Sequence, residues 1–179
     1  LRAFTSDQLA ALTSDQMPQL TTQQVAALTT AQIASLSTDD LTALSTQQFA
    51  GMATTQLRAL TSDQLGAMAS DDLAALGTRG VAALTSAQFG ALSTDSIQAM
   101  TTQQWAALGS AQAAGLSTDQ IPAITSEDLS AIGTAAIRSL TSDHFAALTT
   151  DQMPPLVTRQ LAALASVRAA GLDSEAPGA

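Results

Sequence analysis

The sequence of 179 residues contains no cysteine, lysine, asparagine or tyrosine, and it has one histidine and one tryptophan. The absence of cysteine excludes a disulfide framework, a thiolate metal site and a cysteine nucleophile. The absence of asparagine excludes N-linked glycosylation within this sequence. A single histidine leaves little material for a histidine-based metal site or a general base. These absences predict that the chain is no enzyme and that it needs no cofactor or metal.

Charge is also sparse and one-sided in sign. Fifteen acidic residues against six basic ones give a formal net charge of −9, and every basic residue is an arginine. Binding to nucleic acid needs a clustered basic face, whereas these arginines are scattered along the sequence. A membrane-spanning helix needs roughly 20 consecutive apolar residues, and here Ser, Thr, Asp or Gln interrupts the chain every few residues. The sequence therefore predicts no nucleic-acid partner and no membrane span.

What the sequence has in abundance is one octapeptide. Starting at Phe4, every eighth residue as far as Leu172 is large and apolar, without an insertion or a deletion. A second apolar series follows five places after the first, beginning at Leu9 and Met17. The consensus is Leu-[Ser/Thr]-[Ser/Thr]-x-Gln-φ-x-Ala, where φ is apolar. A fixed period of this kind is typical of a repeat architecture.

The period of eight excludes the two simplest regular structures. Eight residues at 100° each leave a drift of about 80° per repeat, so the apolar stripe of one long helix would circle it within about five repeats. The alternating apolar spacing of five and three also fails to match a strand. The chain must therefore break and restart once in every repeat.

A capping box explains how each restart occurs. A Ser or Thr followed three places later by Gln favours a helix start, and we interpret Thr13 with Gln16, Thr21 with Gln24 and Thr61 with Gln64 in this way. The apolar residues on either side of the box form a hydrophobic staple. A rival register, with the cap one place later, also fits the Ser/Thr pattern, but only the first register uses both the staple and the glutamine. Each helix would run for about six residues.

One such unit cannot bury enough apolar surface to offset the entropy of ordering eight residues, so the units must stack. The sequence thus predicts an all-α solenoid with a single short helix per repeat. Residues 1–172, about 21 repeats, form this solenoid, and residues 173–179 depart from the pattern as a frayed tail. Because the chain begins in the middle of a repeat, we expect it to be a segment of a longer protein.

Two polar series are candidates for a site. Acidic residues concentrate in the first turn of the predicted helices, where their negative charge interacts favourably with the helix dipole. One carboxylate per repeat is too few to bind an array of calcium ions. The second series is an unbroken Ser/Thr row. Its default interpretation is a solvated or inter-repeat hydrogen-bonding row, and its functional interpretation is an array for O-glycans or self-association. The row begins with Ser6, Ser14, Thr22, Thr30, Thr38 and Thr46.

The run Leu-Thr-Thr-x-Gln-φ-Ala-Ala-Leu stands complete at residues 20–28, and it recurs at residues 100–108 with Met in the first place. It resembles the octapeptide tracts of large bacterial secreted or adhesin-like surface proteins, over residues 1–172. This resemblance implies an extracellular or cell-surface location.

These observations predict a structural protein: an elongated spacer or stalk, or a filament-forming segment, that associates with itself. The alternative is a protein-binding solenoid of the adhesin or effector type, which grips a partner along its groove. The alternative predicts residue variation that is concentrated on one face of the solenoid.

Overall fold

A computed structural model describes residues 5, 8, 9 and 11–153. Within them the only regular elements are short helices, and no strand occurs. The predicted all-α class with one helix per repeat is confirmed. Fifteen α-helices of four to six residues occupy Thr22–Ala26, Thr30–Ser35, Thr38–Thr42, Thr46–Ala50, Thr54–Leu57, Ser62–Gly66, Ser70–Ala75, Gly77–Val81, Ser86–Gly90, Thr94–Ala99, Thr102–Ala106, Ser110–Ala114, Ser126–Ala131, Thr134–Ile137 and Ser142–Ala146.

Each α-helix starts at a residue with extended backbone, with one exception discussed below. At Thr29, for example, ψ is 161° and the side-chain oxygen accepts a hydrogen bond from the backbone N–H of Gln32. The extended conformation turns the chain sharply before each helix, and the side chain satisfies an amide that the helix leaves free. Every octapeptide therefore contributes one helical turn and one corner.

Proline changes the helix type where it falls inside a unit. Pro18 and Pro122 lie in 3₁₀ helices at Met17–Gln19 and Ile121–Ala123, and a third 3₁₀ helix occupies Thr150–Gln152. Because proline has no amide hydrogen, it cannot donate the i to i−4 bond that a continued α-helix requires. The tighter 3₁₀ turn lets these units keep the eight-residue spacing.

The corners wind the chain into a superhelix. A helix packs against the helix three repeats further along the chain, as Thr46–Ala50 does against Ser70–Ala75 and Thr94–Ala99 does against that same helix. Contacts between successive turns join residues 25 to 31 positions apart, for example Arg58 Nε with the carbonyl of Ala83 and Gln64 Nε2 with that of Ile33. The middle of this range is a separation of 28 positions, at which Gln64 Nε2 also meets the carbonyl of Leu36. Each unit thus contacts the units three and four repeats before it, so one superhelical turn contains between three and four octapeptides, or about 28 positions.

The two apolar series form the core of this superhelix. The second series is buried as far as Ile137, and Val25, Ile33 and Leu41, for example, each have 0% of their surface exposed. Its last described members, Phe145 and Met153, are partly buried and exposed, respectively. The first series lies slightly further out, with 4% for Leu28 and Leu36. Together they make one hydrophobic cluster that extends without interruption from residue 9 to residue 140.

The turns approach closely at the small residues that precede each first-series position. A Cβ on Gly115 would overlap the backbone carbonyl of Ser86 in the preceding turn, so only glycine fits there. At the equivalent Gly51 the nearest atoms to such a Cβ are 3.5 Å away, which is ordinary contact, and alanine would fit. The Ala/Gly preference at this position thus reflects the packing of one turn on the next.

Candidate functional site

The glutamine of the octapeptide joins successive turns. At Gln64, Oε1 accepts the backbone N–H of Thr61 at 2.8 Å, and the backbone N–H of Gln64 donates to Thr61 Oγ1 at 3.2 Å. The other end of the same amide reaches the previous turn, where Nε2 donates to the carbonyls of Ile33 at 3.0 Å and Leu36 at 2.8 Å. One side chain therefore caps its own helix and satisfies two backbone carbonyls of the turn before.

The same arrangement recurs through the described residues, and we call it the glutamine ladder. Its amides donate to carbonyls 28 to 31 residues earlier at distances of 2.6 to 3.5 Å. All of its members are at least nine-tenths buried. Buried hydrogen bonds of this kind fix the offset between turns, because a carbonyl left without its donor loses solvation. The members are Gln48, Gln56, Gln64, Gln88, Gln104, Gln112, Gln120 and Gln152.

Histidine replaces glutamine once in the ladder. The Nδ1 atom of His144 lies 3.1 Å from the backbone N–H of Thr141, and Nε2 lies 2.8 Å from the carbonyl of Leu116, 28 residues earlier. A neutral imidazole protonated on Nε2 satisfies both contacts, since it accepts through Nδ1 and donates through Nε2. The only histidine of the chain is thus a structural analogue of the ladder glutamine.

Carboxylates replace glutamine at three described places, and they accept hydrogen bonds instead of donating them. Asp40 receives the hydroxyl of Ser37 at 2.6 Å and, at 3.4 Å, that of Ser14 in the preceding turn. Asp128 receives the hydroxyl of Thr125 at 2.6 Å. At Asp72, burial raises the pKa of the carboxyl, while a hydrogen bond from Thr46 lowers it and the charge of Asp71 raises it.

The ladder is interrupted most clearly at Gly80, which has no side chain to reach the turn before. A cavity of about 250 Å³ lies beside it, lined by residues that include Phe49, Met52 and Leu76. The carbonyls of Phe49 and Met52 precede Gly80 by the same separations at which the other units direct a glutamine amide backward. This unit also contains Gly77 with φ of +63°. Its helix starts at Gly77, after a helical residue at Leu76, and it lacks an extended cap.

Two of the three predicted cap pairs form reciprocal capping boxes: Thr21 with Gln24, and Thr61 with Gln64. In the third, the backbone N–H of Thr13 donates to Gln16 Oε1 at 2.9 Å. The helix that follows begins only at Met17, with Gln16 as its N-cap.

The Ser/Thr row lies on the outside of the superhelix, and several of its hydroxyls face the following turn. Ser110 donates to the carbonyl of Ala135 at 3.1 Å, and Ser126 donates to that of Asp151 at 2.8 Å. Of the six predicted members, Ser6 lies outside the described residues, and Thr38 is half-buried. The others are exposed, namely Ser14, Thr22, Thr30 and Thr46.

The inter-turn role of glutamine was missed in the sequence, because the capping box already accounted for that residue. A signal was present: glutamine predominates at the ladder place, which is the fifth residue of the octapeptide, although a carboxylate could also cap the helix. Aspartate occupies that place in the units of Asp40, Asp72 and Asp128. Of the two residue types, glutamine has the amide that also donates to the carbonyls of the turn before.

The described residues hold no group of three or more His, Asp or Glu side chains that could bind a metal ion. Nor does any helix among them have the length and hydropathy needed to cross a bilayer.

Among known proteins, no curated sequence and no solved structure gives a significant match to this chain. The profile of the ALTTAQ repeat family matches residues 1–22, 34–70, 65–102 and 121–158. Since these matches span more than half of the sequence, the chain belongs to the ALTTAQ repeat family.

Proposed function

We propose that this chain is a non-catalytic, rod-shaped spacer: a stalk or filament-forming segment of a bacterial secreted or cell-surface protein. The observation that carries the proposal is the glutamine ladder together with the continuous core. Every ladder glutamine binds the turn before it in the same way, so added repeats of the consensus lengthen the rod without changing its cross-section. Solenoids of this kind owe their stability to interfaces between neighbouring units.

The dimensions of such a spacer follow from helix packing. Packed helices lie about 8–10 Å apart, so each superhelical turn adds about 10 Å to the rod. Two turns correspond to seven whole repeats. A block of seven repeats therefore preserves both the octapeptide register and the superhelical register when it is inserted or removed.

Small-angle X-ray scattering of the chain and of a variant that lacks the seven repeats at 84–139 tests the proposal. We expect the maximum dimension to fall by about 20 Å while the radius of gyration of the cross-section stays the same. A change in cross-section, or a maximum dimension that scales as in a compact globule, would contradict the spacer.

The O-glycan interpretation of the Ser/Thr row belongs to the same proposal, and it concerns exposed hydroxyls such as those of Thr22 and Thr30. The intact mass of the protein, measured on material secreted by the organism that produces it, tests directly for O-glycans. We expect mass in excess of the polypeptide, and a mass equal to the polypeptide would remove glycans from the proposal without affecting the rod.

A further inference from the structure

The superhelical turn sorts the charges of the chain onto two sides. When the described residues are divided into consecutive turns of 28 positions, counted from residue 1, their 12 acidic residues fall at places 3 to 16 of their turn. Their three arginines, Arg58, Arg79 and Arg138, fall at places 2, 23 and 26. Residues at the same place of successive turns lie above one another along the rod. The described part of the rod therefore has an acidic side, and the rest of its circumference, which carries the three arginines, is called the arginine side.

The described residues place these charges on the surface. On the acidic side, Asp39, Asp95 and Asp151 share place 11 in different turns, and all three are exposed. On the arginine side, Arg58 and Arg138 are exposed too. The Nε atom of Arg58 donates to the carbonyl of Ala83 at 2.9 Å, which anchors its guanidinium against the next turn. Three acidic residues of the first side are buried in the ladder instead: Asp40, Asp72 and Asp128.

Solubility alone does not account for this arrangement. A net charge of −9 would repel other copies equally well if the acids were spread around the rod. Capping of the helices does not account for it either, because every repeat offers an equivalent first helical turn and only some of the repeats carry an acid there. The selective placement of both signs needs a reason outside the single rod.

We propose that copies of this rod associate side by side, with the acidic side of one copy against the arginine side of the next. Because the two sides carry charges of opposite sign, the partner that fits the acidic side is the arginine side of a second copy. A sideways translation brings opposite charges together, and its repetition generates an open row of parallel rods. The proposal requires the rod but not the spacer function, so either can fail without the other.

The charges predict an unusual dependence on ionic strength. A helix with its side chains is about 10 Å across, so the two sides of the rod are separated by more than about 10 Å. At about 0.01 M salt the screening length is about 30 Å, so whole rods repel through their net charge. At about 0.15 M it is about 8 Å, and only the facing sides interact. At about 1 M it is about 3 Å, and the attraction is screened. Association should therefore be strongest at intermediate salt.

Analytical ultracentrifugation of the purified chain at these three salt concentrations tests the proposal. We expect the association constant at about 0.15 M to exceed both others by at least about fivefold. A chain that stays monomeric throughout overturns the proposal. Association that only strengthens with salt also overturns it, because apolar contacts behave in that way. A monomeric chain that binds oligolysine would instead assign the acidic side to a basic partner.

A variant in which charged residues are exchanged between the two sides provides the matched control. Three exchanges between exposed positions keep the composition and the net charge: Thr42→Arg with Arg58→Thr, Arg79→Asp with Asp95→Arg, and Gln98→Arg with Arg138→Gln. We expect this variant to stay monomeric at all three salt concentrations, with an unchanged far-ultraviolet circular dichroism spectrum. Undiminished association would overturn the proposal. If the variant does not fold, the triple change of Arg58, Arg79 and Arg138 to Gln serves instead, with the same expectation.

Discussion

Two units of the same length show what the glutamine contributes. In the unit of Gln64, an extended cap at Thr61 precedes the helix, and the amide fills the gap to the previous turn and bonds two of its carbonyls. In the unit of Gly80, the cap is lost, the backbone at Gly77 takes a positive φ, and a cavity of about 250 Å³ lies between the turns. The apolar positions of both units are nevertheless buried.

Apolar spacing is enough to keep both units in the superhelix, and the glutamine adds hydrogen bonds between the turns. Loss of the glutamine alone does not move the start of a helix, because the unit of Ala136 also lacks it and still begins after an extended residue, Gly133. The unit of Gly80 differs in having a second glycine, Gly77, which tolerates the left-handed region and at which the helix starts.

Removal of the amide from the regular unit should have the largest effect on stability. Gln64→Ala leaves the cap N–H of Thr61 and the buried carbonyls of Ile33 and Leu36 without their partner and opens a cavity. We expect the free energy of unfolding to fall by about 3 kcal/mol, as measured by urea denaturation. Hydrogen exchange should show the loss concentrated at the two turns that the amide joins.

Gln24→Ala is the matched control for that experiment. Gln24 makes the same capping box with Thr21, but it is exposed, and its Nε2 reaches no carbonyl of an earlier turn among the described residues. We expect a decrease of only about 1 kcal/mol. Equal effects of the two variants would show that the glutamine acts only as a cap.

Repair of the irregular unit should have an effect of the opposite sign. The double variant Gly77→Thr with Gly80→Gln restores the consensus and supplies a donor for the carbonyls of Phe49 and Met52. We expect an increase in stability of about 1–2 kcal/mol by urea denaturation, together with loss of the cavity. Gly80→Gln alone should destabilise, because its Cβ would lie 2.7 Å from that of Leu76 unless the helix start moves back. Stabilisation by the single change would argue against this account of the cap.

The smallest effect is expected at Asp72, whose carboxyl stands at the octapeptide position that most other units fill with glutamine. Its pKa is raised mainly by burial, so the folded state holds the proton more tightly than the unfolded state does. Its contribution to stability is therefore full below its ordinary pKa of 3.8, and it is lost as the pH rises through the raised value. Asp72→Asn should remove this dependence and change stability at pH 7 by less than about 1 kcal/mol.

Thermal unfolding followed from pH 3 to pH 7 measures that effect. The exposed Asp63 provides the control, because Asp63→Asn leaves the ladder place of its unit occupied by Gln64. A pH profile of Asp72→Asn identical to that of the unmodified chain would exclude the buried carboxyl as the source of the dependence.

Local features of this fold could be predicted from the sequence because each depends on residues within one repeat. The cap at Thr21 and its reciprocal bond with Gln24 involve neighbours three places apart, and the period of eight dictates a restart in every unit. The number of repeats per turn depends instead on contacts between successive turns, which no single repeat contains. The backward bonds of Gln64 were missed for this reason.

The sidedness of the charges was visible in the sequence only once the turn length was known. Asp39 and Asp95 occupy equivalent places because seven repeats make two turns, and the period of eight alone gives them no common direction. The function remains a proposal, since a repeated surface has no unique pocket from which chemistry could be inferred.

The backward direction of the ladder has a consequence for synthesis on the ribosome. Each ladder glutamine donates to carbonyls that precede it by at most 31 residues, so the acceptors of the ladder exist before its donors emerge. Among the described residues, the hydrogen bonds between turns join positions no more than 31 apart, so the entropy of closing each loop is the same however many turns have formed. A nascent chain can therefore fold one turn at a time behind the exit tunnel, at a pace that does not depend on its final length.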